Sequence, residues 1–200
     1  GNNKLDGYIP TEIFPRDTCV LEKLDFKSNE LTGIIPFQMR YCDKLESASF
    51  MENNLAGLFP TQQFFSTYGS SMKKLNLARN QFGGFLPDEL FLNGKALSHF
   101  DIRGNMFYGE ISTKFGEMLN LKVLNLAENF FTGELPMELG NLFGLAELNV
   151  TFNDLSGSVP SEICSLRNIE RLESLSADCL PGSNGVRKMV CSCCDQCVVG

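Results

Sequence analysis

The stretch Leu121-Lys122-Val123-Leu124-Asn125-Leu126-Ala127-Glu128-Asn129-Phe130-Phe131-Thr132-Gly133-Glu134-Leu135-Pro136 sets the fold. Apolar residues at 121, 124 and 126 end in a period-two alternation, the pattern of a short β-strand with one face buried. Three residues after the last strand leucine stands Asn129, where a side-chain amide can satisfy backbone groups as the chain bends away. Gly133 suits a turn or a close backbone approach. Pro136 then fixes φ and starts a return segment. The phrase from asparagine to proline recurs seven times: Asn3–Pro10, Asn29–Pro36, Asn53–Pro60, Asn80–Pro87, Asn105–Ser112 (the copy without proline), Asn129–Pro136 and Asn153–Pro160. The steps between asparagines are 26, 24, 27, 25, 24 and 24 residues. A fixed period of this size marks a solenoid of stacked coils.

Related strand patterns precede the other copies: Leu21-x-x-Leu24-x-Phe26, Met72-x-x-Leu75-x-Leu77, Leu97-x-x-Phe100-x-Ile102, Leu145-x-x-Leu148-x-Val150 and a weaker Leu45-x-x-Ala48-x-Phe50. One strand per coil predicts a parallel sheet, with the asparagine amides in a ladder beside it. The returns read as single helical turns, and Ile13, Met39, Leu90, Leu139 and Ile163 are expected to close the core from the convex side. Extra residues around Phe64–Ser71 and Asn93–Ala96 are expected to bulge on the convex or lateral side. The chain divides into an elongated body over 1–178 and a cysteine-rich cap over 179–200. It opens inside a repeat phrase, so it reads as an N-terminally truncated fragment.

Net charge is −7 and the pI about 4.8. Seventeen Lys and Arg are scattered without a basic stripe, which argues against nucleic acid as a partner. No apolar run reaches the roughly 18 residues of a membrane span, and no signal peptide is visible. Membrane attachment would come only from segments outside this chain.

The phrase L-x-x-L-x-L-x-x-N-x-L-x-G-x-I-P resembles the leucine-rich repeat, in the variant of plant extracellular receptors and polygalacturonase-inhibiting proteins. The resemblance implies an α/β solenoid: a right-handed superhelix with a concave parallel sheet, short helical turns on the convex side and a second short sheet around G-x-I-P. Ala48 and Ser112 depart from the pattern.

Eight cysteines are spread unevenly. Six of them (Cys164, Cys179, Cys191, Cys193, Cys194 and Cys197) fall in the last 37 residues. The repeat ends at Leu172-x-x-Leu175-x-Ala177, and a solenoid end with little apolar content calls for a disulfide-held cover. Six cysteines allow 15 pairings, so none is assigned; adjacent Cys193 and Cys194 are expected to take different partners. Cys194-x-x-Cys197 has zinc-ligand spacing but lacks a second half, so no metal is expected. The tail is similar to the closing module of secreted leucine-rich repeat proteins of diatoms and related algae. Cys19 and Cys42 sit alike in consecutive coils and are expected to bridge them. Such disulfide use implies an oxidising, extracellular compartment. Asn149-Val150-Thr151 is a glycosylation sequon on the concave face.

The outward strand positions offer a binding surface: Lys74, Arg79, His99, Asp101 and Arg103 at mid-span, with Glu128 and Phe152 beyond. A column of small polar residues (Asp25, Ser49, Asn76, Asp101, Asn125, Asn149, Ser176) runs through them. Arginine and aromatic residues dominate the energetic centres of interfaces. His99 has no nucleophile implied beside it and no catalytic motif occurs, so the chain reads as a non-enzyme without cofactor. The expected function is extracellular recognition of a protein, peptide or polysaccharide. The alternatives are a building block joining like subunits in a wall, mucilage or surface assembly, and an inhibitor of a secreted hydrolase.

Overall fold

The computed structural model describes residues 3–65, 71–168, 171–181 and 188–200. Its strands are β1 (Asp6–Tyr8), β2 (Lys23–Asp25), β3 (Glu30–Gly33), β4 (Ser47–Ser49), β5 (Asn54–Leu58), β6 (Lys74–Asn76), β7 (Gln81–Gly84), β8 (His99–Asp101) and β9 (Met106–Glu110). They continue as β10 (Val123–Asn125), β11 (Phe130–Gly133), β12 (Glu147–Asn149), β13 (Asp154–Leu155), β14 (Gly157–Ser158), β15 (Ser174–Leu180), β16 (Met189–Val190) and β17 (Gln196–Val199). The concave sheet runs β2-β4-β6-β8-β10-β12-β15-β17 and a second sheet runs β1-β3-β5-β7-β9-β11-β13. Pairing is parallel and in phase, as in His99↔Val123↔Glu147, so equivalent residues of every coil stand in columns.

Asparagine fixes that phase. Asn129 Nδ2 donates to the carbonyls of Leu126 (3.2 Å) and Ala127 (3.0 Å) in its own coil and of Ile102 (3.0 Å) in the preceding one. Its Oδ1 accepts from Phe107 N–H at 3.0 Å, again in the preceding coil. Asn53, Asn80, Asn105 and Asn153 repeat the arrangement, which is the expected ladder. Between the two sheets the backbone turns through the interior, and its polar groups have no water to bond. Asn29, in the first described coil of the ladder, is half-buried, and its Oδ1 accepts from exposed Leu5 N–H.

The residue before each ladder asparagine is left-handed: Ser28, Glu52, Arg79, Glu128 and Phe152 all have φ between 54° and 58°, and Gly104 has 65°. The sharp exit from the strand enforces this conformation whatever the side chain, although it disfavours non-glycine residues. The repeat glycine has two reasons. Gly109 has φ +94°, and a Cβ there would lie 2.6 Å from the Phe85 ring of the preceding coil. Gly84 likewise receives the Leu58 side chain. The variable residue of G-x-I-P thus lies over the next coil's glycine.

The core is rich in phenylalanine; Phe50, Phe82, Phe100, Phe107, Phe115 and Phe131 are fully buried, and Phe91 meets Phe115 edge-on at 4.9 Å. Met39, Leu90, Leu139 and Ile163 close the convex side as expected. Ile13 does not: it is 39% exposed, and its neighbour Phe14 (2%) fills the place, because the larger ring reaches the core from the next position. Ser112 replaces proline without loss of the turn. Its φ of −64° matches the −69° of Pro136, and its Oγ accepts from Lys114 N–H. The extra residues near Asn93 are absorbed by an α-helix, Asp88–Asn93, where related coils make one 3₁₀ turn. In the other insertion Phe64 and Phe65 are buried, whereas 66–70 lie outside the described residues.

The tail completes the stack. Strand β15 runs through the 178/179 boundary, β17 pairs with it (Ala177↔Cys197), and β16 pairs with β14 (Gly157↔Met189). Asp178, only 1% exposed, accepts from the N–H groups of Phe152 (2.8 Å) and Asn153 (3.1 Å). In earlier coils those donors meet the carbonyls of the next coil, as when Glu128 N–H meets Thr151 O. Bridges Cys164–Cys193 and Cys179–Cys197 tie the helix Ser161–Asn168 and β15 to the tail, Cys191–Cys194 closes a local loop, and Cys19–Cys42 joins two coils. Cys193 and Cys194 do take different partners.

Asn129→Ala orphans buried carbonyls and an N–H and should lower unfolding stability by about 3 kcal/mol or more. Asn29→Ala, on the half-exposed rung, should cost about 1 kcal/mol. Glu128→Gly relieves a left-handed residue and should gain up to about 1 kcal/mol. Urea denaturation of the three variants tests all of these; equal losses for the two alanines would refute the ladder's inward gradient.

Candidate ligand-binding face

Along the concave face the small polar column is occupied locally. The Oδ1 atoms of Asp25, Asn76, Asp101, Asn125 and Asn149 each accept from the backbone N–H two residues on, at 2.9–3.2 Å. These are Asx turns that finish each strand. The next column is mostly shallow: Ala78 and Ala127 are buried on either side of Arg103, which stands up between them.

Arg79, Asp101 and Arg103 form one cluster. Arg103 Nε lies 3.8 Å from Asp101 Oδ2, an ion pair too long for a hydrogen bond, and this buried Nε has no hydrogen-bond partner among the described residues. Arg79 pairs with Glu52 at 3.3 Å, and Glu52 accepts from Ser28 Oγ at 2.6 Å. That hydrogen bond, with help from Lys27 and the two arginines, holds the Glu52 carboxyl below its ordinary value. Burial pushes Asp101 up, against the Arg103 N–H and the nearby guanidinium groups, while the Glu128 charge adds to the rise. His99 stands two residues before Asp101 on β8 and on the same face, its Nδ1 2.9 Å from Ser98 Oγ. Burial, followed by the positive charges of Lys74 and Lys122, lowers its pKa, and Glu147 opposes them.

The sequence-selected residues therefore fall into separate groups. Arg79, Asp101, Arg103 and Glu128 are neighbours; His99 and Lys74 flank them on adjacent strands; Phe152, 50% exposed, stands two strands from Arg103, about 10 Å away. Asn149 is half-buried, with Oδ1 also accepting from Thr151 Oγ at 2.9 Å. Glu52 was missed as a partner of the arginines, although the repeat places it one coil before Arg79.

Sequence reasoning also missed a cleft of about 610 Å³ on the opposite flank, lined by Ile34, Leu58, Phe59, Phe65, Arg40 and Glu89 among others. Its signal lay in the variable residue of G-x-I-P, which is exposed and apolar in the early coils (Tyr8, Ile34, Leu58, Phe85). The cleft and the charged cluster are different places; the cluster has the unmet polar group. At the tail, the sulfurs of Cys179, Cys191 and Cys194 lie within 4.8 Å of one another. All three are in disulfides and therefore are not thiolate ligands. Among the described residues no helix is long and apolar enough to cross a membrane.

The Leucine Rich Repeat family model matches residues 20–42, 71–92, 120–142 and 144–166. Receptor-like protein kinase BRI1-like 3 of Arabidopsis thaliana is 32% identical over 111 residues, 54% of this chain and 9% of that protein. The plant peptide hormone receptor RGFR1, solved in complex with RGF2, superposes with a TM-score of 0.77 at 32% identity, over 88% of this chain and 27% of that one. The ectodomain of the membrane receptor kinase GASSHO1/SCHENGEN3 from Arabidopsis thaliana, in complex with Casparian strip integrity factor 2, gives 0.72 at 32% identity, over 96% and 23%. The chain spans less than a third of each.

Two pH effects follow. His99 holds its proton less tightly in the fold than in the unfolded chain, so the unfolded state binds more protons near and below about pH 6.5, and stability falls as the solution is acidified. Asp101 is the reverse: the folded state keeps the proton to higher pH, so its contribution falls as pH rises above about 4. Denaturation midpoints measured from pH 4 to 7.5 should show less loss on acidification for His99→Gln. Asp101→Asn, which retains the Asx acceptor, should gain at pH 7 relative to pH 4; a profile unchanged by either variant would contradict the burial of these groups.

Proposed function

We propose that this chain, a leucine-rich repeat protein of the plant extracellular type, is a recognition module that binds an extended peptide across its concave face. The observation that carries this reading is the partly exposed Arg103 guanidinium, whose buried Nε has no hydrogen-bond partner among the described residues and whose carboxylate neighbour is held at 3.8 Å. A buried donor of that kind is costly to leave unmet. The Oδ1 atoms of the Asx column are engaged by the strands' own backbone, and Asp101 Oδ2 meets the guanidinium only as a 3.8 Å ion pair. A ligand acceptor, from a peptide carbonyl or carboxylate, meets the exposed end of the Arg103 guanidinium between Ala78 and Ala127, where small side chains leave room for a main chain.

Phe152 extends the same face with an apolar contact. Its left-handed backbone is held by Asp178, which keeps the ring turned outward and half in solvent. Exposed aromatic rings beside arginine are the usual anchors of interfaces. The similarity to the peptide hormone receptor RGFR1, solved in complex with RGF2, supports a peptide over a polysaccharide. The disulfide-closed solenoid supports an extracellular setting. Binding, without chemistry on the ligand, is the role this surface fits: His99 has Ser98 as its side-chain partner and lies among Lys74, Lys122 and Glu147, and no catalytic motif occurs in the sequence.

Short random peptides displayed on phage and selected on the chain provide the test. Selected peptides should bind Arg103→Glu and Phe152→Ala at least about tenfold more weakly. They should bind the convex control Lys114→Glu unchanged. Equal affinity for all the variants would remove the concave face as the site. We also propose that the Asn149 sequon is occupied on secretion. Intact mass after secretory expression should show a glycan that Asn149→Gln abolishes; an unmodified secreted chain would end that assignment.

A further inference from the structure

We propose that the Cys191–Cys194 bridge is a thiol-exchange site, opened by a low-molecular-weight monothiol and passed on internally to Cys179. Three observations converge on it. The bridge spans three residues of sequence, against 18, 23 and 29 for the other bridges. A short closed loop removes little entropy from the unfolded chain, so this bridge is the one the fold loses least by opening. Both its cysteines are half-exposed, whereas Cys179 is buried at 4%. The Sγ atoms of Cys179, Cys191 and Cys194 all lie within 4.8 Å of one another, so whichever sulfur is released stands next to a second disulfide.

The steps balance. A thiolate such as that of glutathione attacks Cys194 Sγ; the new bond forms, the Cys191–Cys194 bond breaks, and Cys191 leaves as thiolate. Cys191 then attacks Cys179 Sγ, forming Cys179–Cys191 and expelling Cys197 as thiolate, which takes up the proton brought by the incoming thiol. The number of disulfide bonds is conserved. One is now a mixed disulfide on Cys194, and a second monothiol releases it as the oxidised dimer of the small thiol. Exchange of this kind requires only a thiolate and a reachable disulfide sulfur. Bulk thiol reaches the half-exposed bridge, while buried Cys179 is reached from inside.

The product differs structurally from the starting cap. Cys179–Cys197 is the covalent tie between β15 and β17, set at the register Ala177↔Cys197. After exchange β17 is held by hydrogen bonds alone, and a free thiol sits on the outermost strand of the concave sheet. Cys164–Cys193 is untouched, so the tail remains anchored to the helix Ser161–Asn168. The cap thereby carries a latent thiol, available to a partner's cysteine, without releasing the solenoid end.

The oxidised full chain is exposed to limiting reduced glutathione, quenched in acid, alkylated, and mapped by fragment-ion mass spectrometry. The expected first product has Cys197 alkylated, Cys179 linked to Cys191 or Cys194, and glutathione on the remaining one of those two. In the variant Cys191→Ser with Cys194→Ser, alkylation of Cys197 should slow on the order of tenfold or more, with its thermal midpoint recorded to establish folding. Two results would overturn the proposal: glutathione at Cys191 or Cys194 with Cys179–Cys197 intact, or equally fast release of Cys197 in wild type and folded variant. The wild-type product map decides the matter even where the variant does not fold.

Discussion

Everything in this molecule depends on the asparagine that carries the chain through its own interior. Between the concave strand and the second sheet, each coil must bury several carbonyls and an N–H, groups too costly to leave unmet. One primary amide, with two donor hydrogens and an acceptor, satisfies groups of its own coil and the preceding one together. Because each rung binds to its neighbour, the asparagines fix the phase of the whole stack. The core phenylalanines then pack against partners in register: Phe100 beside Phe115, Phe59 between Phe65 and Phe107.

That constraint has a conformational consequence which also shapes the binding face. To deliver the asparagine inward, the residue before it adopts a left-handed backbone, and its side chain turns toward the concave side. Glu52, Arg79, Glu128 and Phe152 therefore stand on that face through a strained geometry, with glycine taking the position once. Charged and aromatic residues are poor choices for such a backbone on stability grounds alone. Their presence accords with a surface shaped for contact, as does a half-buried Asp101 where its neighbours in the column, Asn76 and Asn125, carry no charge.

The carboxyl end meets the same requirement by other means. With no further asparagine available, the Asp178 carboxylate receives two N–H groups that a following coil's carbonyls would otherwise take, and β16 and β17 supply the sheet edges. Its covalent ties stand in for apolar burial that so short a segment lacks. Arg167 pairs with Asp195, which also accepts from Leu175 N–H at 2.8 Å, so the tail is held by charge as well as sulfur.

The coil period, the strands and the ladder asparagines were legible in spacing, because each is a property of one repeat and recurs along the chain; the need for a sulfur-held end was legible in the clustering of six cysteines where the repeat stops. The columns facing the concavity could be read off in the same way, so Arg79, Asp101, Arg103 and Phe152 were already candidates. What spacing did not contain is whatever depends on the neighbouring coil's particular side chains. The pairing of Arg79 with Glu52, the orphaned Nε of Arg103, the seating of Phe85 on Gly109 and the replacement of Ile13 by Phe14 are of this kind. So are the role of Asp178 and the choice among cysteine pairings, for these occur once, outside the period. The sequence by itself determined the coil and its stacking, since backbone hydrogen bonding must be satisfied identically in every turn; the tertiary structure alone decided which polar groups found partners, because that rests on distances between side chains that no repeat encodes.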